Sequence, residues 1–124
     1  MARGTILIID DQQGIRESMA GILELEGFEV YSFGNAAAGI ALAKSKRFDM
    51  IFLDVKMPVI SGIDAFKEIH KIQPATVVYM MSALCGEDDL VQEVLREGAS
   101  GCINKPFNMD EVLNIVNTYT ANHI

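Results

Sequence analysis

A chain of 124 residues, half of them hydrophobic, can bury one sizeable core and is too apolar to remain disordered. Its formal net charge of −7 argues against direct contact with nucleic acid, whose phosphates demand the opposite sign. No apolar run reaches the roughly 18 residues that a membrane-spanning helix requires, and Met1-Ala2-Arg3-Gly4 leads straight into a strand-like run, so the expectation is a cytoplasmic protein without a secretory leader or membrane contact.

Strand and helix patterns alternate along the chain. Thr5 to Ile9 is a continuous β-rich run, as expected of a strand buried on both faces. Ile15, Met19, Ile22 and Leu23 recur at helical spacing, and Gly27 closes that helix. Phe28 to Phe33 holds a second strand, and Asn35 caps an Ala-rich helical segment over 36–45. Met50 to Leu53 is a third strand, followed by a loop broken by Pro58. Ser61 and Asp64 resemble a capping box ahead of the stripe Ile63, Phe66, Ile69. Thr76 to Met81 forms a fourth strand, a helix over 88–97 ends at Gly98, and Gly101 to Asn104 is a short fifth strand. Asn108 and Glu111 form another capping pair before Val112, Ile115, Val116 and Tyr119.

Strict alternation of this kind implies one α/β domain over 1–124, a doubly wound (βα)5 flavodoxin-like fold with a parallel five-stranded sheet in the order 2-1-3-4-5. In such sheets ligands bind beyond the carboxyl ends of the strands, at the switch point between strands one and three. The first strand ends in Asp10-Asp11, the third in Asp54, the fourth in Ser82 and the fifth in Asn104-Lys105-Pro106. Crowded carboxylates repel one another and raise one another's pKa unless a cation joins them. Mg²⁺, a hard ion content with one or two carboxylates and several waters, suits such a set. A carboxylate beside it can act as a nucleophile toward phosphorus.

Ile8-Ile9-Asp10-Asp11, Leu53-Asp54-Val55-Lys56-Met57-Pro58 with Gly62, Met81-Ser82-Ala83 and Lys105-Pro106-Phe107 together resemble the motifs of bacterial two-component response-regulator receiver domains. The resemblance spans essentially the whole chain. It implies that Asp54 is the phosphoacceptor and that Asp11 binds Mg²⁺ directly, with Mn²⁺ as a substitute. It implies further that Asp10 acts through water and that Lys56 offers its backbone carbonyl to the metal. Ser82 and Ala83, with Lys105, match the phosphate-binding switch elements, and a cis Lys105-Pro106 bond is implied. The donor would be a histidine kinase or histidine phosphotransfer protein docking near the first helix, with Ile15, Arg16 and Met19 as candidate contacts. The output face would be 88–119, toward a downstream effector domain or target protein or a homodimer. On this reading the domain is a phosphorylation switch rather than an enzyme, limited to Mg²⁺-dependent self-phosphorylation and autodephosphorylation. One departure stands out: where the family uses Tyr or Phe, three residues before the lysine, this chain has Cys102.

Other readings compete residue by residue. Asp10-Asp11 also fits a helix cap, Asp54 a turn acid, Ser82 a small loop-entry residue and Lys105 a solvated charge. A flavin carrier on the same fold would want a Gly/Ser/Thr-rich phosphate loop after the first strand, where this chain has Asp10-Asp11-Gln12-Gln13. An aspartyl phosphatase would need a separate general acid, and a degenerate interaction domain would not need the acids. Cys85 and Cys102 lack metal-ligand spacing and are expected to be free thiols, Cys102 in the core and Cys85 in an exposed loop. His70 and His123 are expected at the surface.

Overall fold

The computed structural model describes residues 3–120; His123 lies outside them. The elements run β1 (Thr5–Ile9), α1 (Gln13–Leu25), β2 (Glu29–Phe33), α2 (Ala36–Ala43), β3 (Met50–Asp54), α3 (Gly62–Ile72), β4 (Val77–Ser82), α4 (Asp89–Glu97), β5 (Gly101–Asn104) and α5 (Met109–Thr120). All pairings are parallel and the sheet order is β2-β1-β3-β4-β5. This is the expected doubly wound arrangement, with β1 hydrogen-bonded to β2 on one side and to β3 on the other.

Alternation along each strand divides the core in two. Leu7, Ile9, Ile51 and Leu53 face α2, α3 and α4, meeting Ala36, Ile63, Phe66, Ile69, Val91 and Val94. Ile6, Ile8, Met50 and Phe52 face α1 and α5, meeting Met19, Leu23, Val112 and Val116. Every residue of β3 is buried, which is why its sequence reads as an unbroken apolar run up to Asp54.

Helix ends follow the capping chemistry. Asn35 accepts from the Ala38 amide at 2.9 Å and Ser61 from the Asp64 amide at 3.2 Å. Asn108 accepts from the Glu111 amide at 2.9 Å while Glu111 accepts from the Asn108 amide at 3.4 Å, completing a reciprocal box. Gly27 and Gly98 take φ values of 95° and 125° just past their helices, a backbone state that glycine adopts without penalty. The buried amide of Gln73 donates to the carbonyls of Ala43 and Lys46 at 2.7 and 2.6 Å, and its oxygen accepts from the Phe48 amide at 3.2 Å. These bonds fix the α2–β3 connection, and with it the start of the strand that carries Asp54.

Several boundaries move. β3 and β4 run one residue further than expected, because Asp54 pairs with Met81 and Ser82 with Asn104 in the ladder. α2 ends two residues early, where the amides of Ser45 and Lys46 both turn onto the Leu42 carbonyl. His70 is half-buried rather than at the surface, stacked on Phe66 with ring centroids 5.1 Å apart. The expectation of free thiols fails outright: Cys85 and Cys102 form a disulfide with Cα atoms 5.8 Å apart. The physical reason is that the turn after β4 folds back over β5. It buries Cys85 instead of exposing it and sets it beside a partner 17 residues away in sequence.

Val59, in the loop after β3, has φ 70° and is fully exposed. A β-branched side chain is strained in that region and gains nothing here from packing. Val59→Asn should therefore stabilise the domain by about 0.5–1 kcal/mol, since Asn tolerates left-handed backbone. Thermal unfolding would register this as a Tm higher by about 2–5 °C; an unchanged or lower Tm would show that the loop is not strained.

Candidate functional site

The parallel sheet delivers the carboxyl ends of β1, β3, β4 and β5 to one edge. Asp10 follows β1, where its amide donates to the Phe33 carbonyl of β2 at 3.1 Å and locks the chain before it leaves the sheet. Asp54 ends β3, and the next amide, of Val55, donates to the Met81 carbonyl at 3.0 Å. Lys105 follows β5, its amide donating to the Ser82 carbonyl at 2.8 Å. The Lys105–Pro106 bond is cis. Backbone pairing therefore sets the positions of these side chains.

Asp10, Asp11 and Asp54 each offer a carboxylate oxygen within 4.8 Å of the others'. Asp10 and Asp54 are buried, while Asp11 is exposed at the rim. The Lys105 ammonium lies 2.8 Å from Asp10 Oδ2 and 3.3 Å from Asp54 Oδ1. It also donates to Gln12 Oε1 at 3.2 Å. Asp10 accepts in addition from the Gln12 amide at 2.8 Å, a local turn ahead of the helix; the N-cap position of α1 is Gln12, with no side-chain cap bond, so neither acid caps this helix. Arg16 Nη1 donates to the Asp10 carbonyl at 2.7 Å.

Burial pushes the Asp54 carboxyl up to about 6, reinforced by the charges of Asp10 and Asp11 and only partly relieved by Lys105. Burial works against the Lys105 ammonium, but its hydrogen bonds and attraction to Asp10 and Asp54 outweigh this and raise its pKa above the ordinary lysine value. Asp54, Asp11, Lys56, Ser82, Ala83, Leu84 and Lys105 line one cleft of about 280 Å³. Ser82 Oγ accepts from the Leu84 amide at 3.1 Å, which leaves its proton free to donate. Lys56 stands exposed at the mouth.

Gly62 explains how Asp54 is held so firmly. A methyl group on its Cα would lie 1.9 Å from the Asp54 carbonyl oxygen, and its amide donates to Val55 at 2.8 Å. The start of α3 thus packs directly on the backbone of the acid.

A broader groove of about 780 Å³ adjoins the cleft, lined by Gln12, Gly14, Ile15, Ser18, Phe107 and Met109 along with Lys105 and Pro106. Of the candidate docking residues, Ile15 lines this groove and Arg16 is half-buried on the Asp10 carbonyl. Met19 is fully buried beneath α1 and offers nothing to a partner, because the stripe that contains it is the core-facing one. Two contacts were not legible in the sequence: Gln12 on Lys105, and Asn104 Oδ1 accepting from the Cys85 amide at 3.0 Å. The place of Gln12 immediately after the acid pair was the only signal for the first.

Comparison with known proteins agrees with this geometry. Residues 6–117 match the family model described as the response regulator receiver domain. The chain belongs to that family. It acts, accordingly, in two-component signalling. It is 34% identical over 119 residues to sporulation initiation phosphotransferase F of Bacillus subtilis, covering 96% of this chain and 95% of that protein. It is 34% identical over 111 residues to the regulatory protein AtoC of Escherichia coli, covering 90% of this chain but only 24% of that longer protein. Among solved structures, a CheY-like receiver domain from Methanospirillum hungatei superposes with a TM-score of 0.89 at 29% identity, over 95% of this chain and 94% of that one.

Two outcomes follow for this receiver domain. Gly62→Ala should cost about 2–4 kcal/mol, because backbone rather than a flexible side chain obstructs the added carbon; denaturant unfolding within about 0.5 kcal/mol of wild type would contradict that packing. The Asp54 pKa, about 6 against the ordinary 3.8, fixes the sign of a pH effect. The raised value favours the protonated acid, so its contribution to stability is fully present below about pH 4 and is lost as the pH rises through about 6. With divalent cations chelated, Asp54→Asn should be more stable than wild type by about 1–2 kcal/mol at pH 8, the gap closing toward pH 4. Denaturation midpoints at pH 4, 6 and 8 measure this, and a gap independent of pH would contradict it.

Proposed function

We propose that Asp54 accepts a phosphoryl group from a histidine kinase or a histidine phosphotransfer protein, with Mg²⁺, and that the domain changes conformation in response. The observation that carries the reading is the single Lys105 ammonium spanning Asp10 and Asp54, with a third acid, Asp11, within reach.

The donor set suits a hard divalent cation. Asp11 and Asp54, with the Lys56 carbonyl and with Asp10 through water, would hold Mg²⁺, and Mn²⁺ could replace it. Bound there, the ion supplies charge neutralisation for the acids and for a phosphoryl oxygen. The chain's own groups do the rest. Near neutral pH Asp54 is mainly ionised, and its raised pKa leaves it more basic than an exposed aspartate. A carboxylate oxygen attacks phosphorus, the phosphorus–nitrogen bond of the donor breaks, and the imidazole departs with the bonding electrons and takes up a proton. Lys105, already 3.3 Å from Asp54, pairs with the negative oxygens that arrive. The Ser82 hydroxyl donates to another, and Ala83 lines the cleft beside it.

The donor's helix would lie along the groove beside Ile15, which opens directly onto Lys105. The receiving face for an effector domain, a separate target or a second copy of the chain would be 88–119. Among the described residues no helix is long and apolar enough to cross a membrane, and the net charge of −7 disfavours nucleic acid. A cytoplasmic protein working through protein partners fits these facts.

Acetyl phosphate with Mg²⁺ should add one phosphoryl mass to the native protein, and Asp54→Asn should abolish the product. Chelation should slow labelling by about 10²-fold or more, since the transferring group is stabilised mainly by charge. Intact-mass spectrometry reads all three arms. Full labelling of Asp54→Asn, or labelling indifferent to chelation, would reject the assignment.

A further inference from the structure

We infer that Cys85 and Cys102 form a reversible thiol–disulfide modification site that controls the segment between β4 and α4, and through it the response of the cleft. The coupling to the cleft rests on the function proposed for Asp54; the site itself does not.

The placement is specific. Cys102 lies in β5, opposite Met80 of β4 and three positions before Lys105. Cys85 lies in the turn that follows Ser82, three positions beyond it. The bond therefore ties the turn beyond Ser82 to β5, the strand that leads to Lys105. Other contacts act in the same direction: the Cys85 amide donates to Asn104 Oδ1 at 3.0 Å, and Gln92 Nε2 donates to the Cys85 carbonyl at 2.8 Å. Ser82 Oγ is held by the Leu84 amide within the same turn. If Ser82 is drawn toward a group on Asp54 while it keeps the Leu84 amide, Leu84 and Cys85 shift with it. A covalent tie from Cys85 to β5 restricts that shift, and cutting it leaves only hydrogen bonds.

A structural staple is the poorer account of the pair. Staples belong to small secreted domains that lack a core, whereas this chain has a core on each face of its sheet. In the cytoplasmic setting proposed above, a reducing one, disulfides are mostly transient and redox-sensing. Access is asymmetric as well: Cys85 is buried and Cys102 is partly exposed, so exchange proceeds through the Cys102 sulfur. For oxidation, the Cys102 thiolate attacks a small-molecule disulfide of the glutathione type and expels one thiolate. The Cys85 thiolate then attacks the Cys102 sulfur of the mixed disulfide and expels the second. The two protein thiols lose two electrons and two protons, and the small disulfide becomes two thiols. Reduction is the reverse, beginning with attack of a thiolate on Cys102.

The test uses the whole chain equilibrated in glutathione buffers from fully reduced to fully oxidised. Alkylation and intact mass count free thiols, amide hydrogen exchange reports on 83–88, and beryllofluoride with Mg²⁺ probes the cleft. The expected result is a reversible change from no free thiol to two, faster exchange in 83–88 on reduction, and beryllofluoride binding tighter by roughly five- to tenfold in the reduced protein. Cys85→Ser/Cys102→Ser should match the reduced protein in every buffer. Two alkylatable thiols under all conditions, or a bond that no buffer opens, would overturn the site. Beryllofluoride binding equal in both states would overturn the coupling alone. No binding in either state would overturn the function proposed for Asp54, and the coupling with it, while leaving the thiol count to judge the bond.

Discussion

One electrostatic conflict organises this domain. Three carboxylates converge at one sheet edge, two of them buried, and a single ammonium stands among them. Burying a charge is expensive unless it is paired and hydrogen-bonded, and Lys105 cannot fully serve both acids it touches. Asp10 is the better satisfied, with the ammonium at 2.8 Å and the Gln12 amide at 2.8 Å. Asp54 has the ammonium at 3.3 Å, which only partly offsets burial and the charge of Asp10, and its carboxyl is pushed up to about 6. Of the two buried acids, the less satisfied is the one proposed to react.

The fold tolerates this conflict because the residues involved are fixed from behind. β3 is buried along its whole length, Gln73 holds its start, and Gly62 lies on the carbonyl of Asp54 at its end. A carboxylate on a loose loop would relieve repulsion by turning to water. Asp54 has no such freedom, so the repulsion remains available to a cation or to a reaction. By contrast Ser82, at the end of β4, passes into a turn held by side-chain contacts from Asn104 and Gln92 and by the tie to Cys102. The cleft thus has one immobile wall and one wall whose freedom depends on a few contacts.

How much of this was legible in the sequence follows from the range of each signal. Buried parallel strands write themselves as apolar runs, and a polar residue that ends such a run is visible, so Asp10, Asp54, Ser82 and Lys105 could be read and the sheet order assigned their common edge. Caps at Asn35, Ser61 and Asn108 were legible because capping is a local exchange over three residues. The Cys85–Cys102 bond was not, since it depends on the path of the turn after β4, which no periodicity encodes. Met19 was misplaced for a related reason: one apolar stripe served both as core and as docking candidate, and burial allowed it only the first. Strain at Val59 also escaped notice, because the residue that a left-handed position favours is absent there and only coordinates reveal the φ of 70°.

Charge counting links the rigid wall to the movable one. Asp10, Asp11 and Asp54 with Lys105 sum to −2 when all are ionised, the charge that one divalent cation would cancel. Phosphorylation of Asp54 would remove the carboxylate's single charge and add a group carrying about −1.5 to −2 near neutral pH, so the balanced site would become negative again by up to about one unit. Lys105 is already shared between Asp10 and Asp54. Further donors in the cleft are Lys56, exposed at the mouth two residues after Asp54, and, on the other wall, Ser82, whose proton is uncommitted. Drawing Ser82 closer with its Leu84 contact intact would carry the turn after β4 with it, whereas the acids can stay where they are. On the function proposed, a local excess of charge would thereby become displacement of the segment that leads into α4.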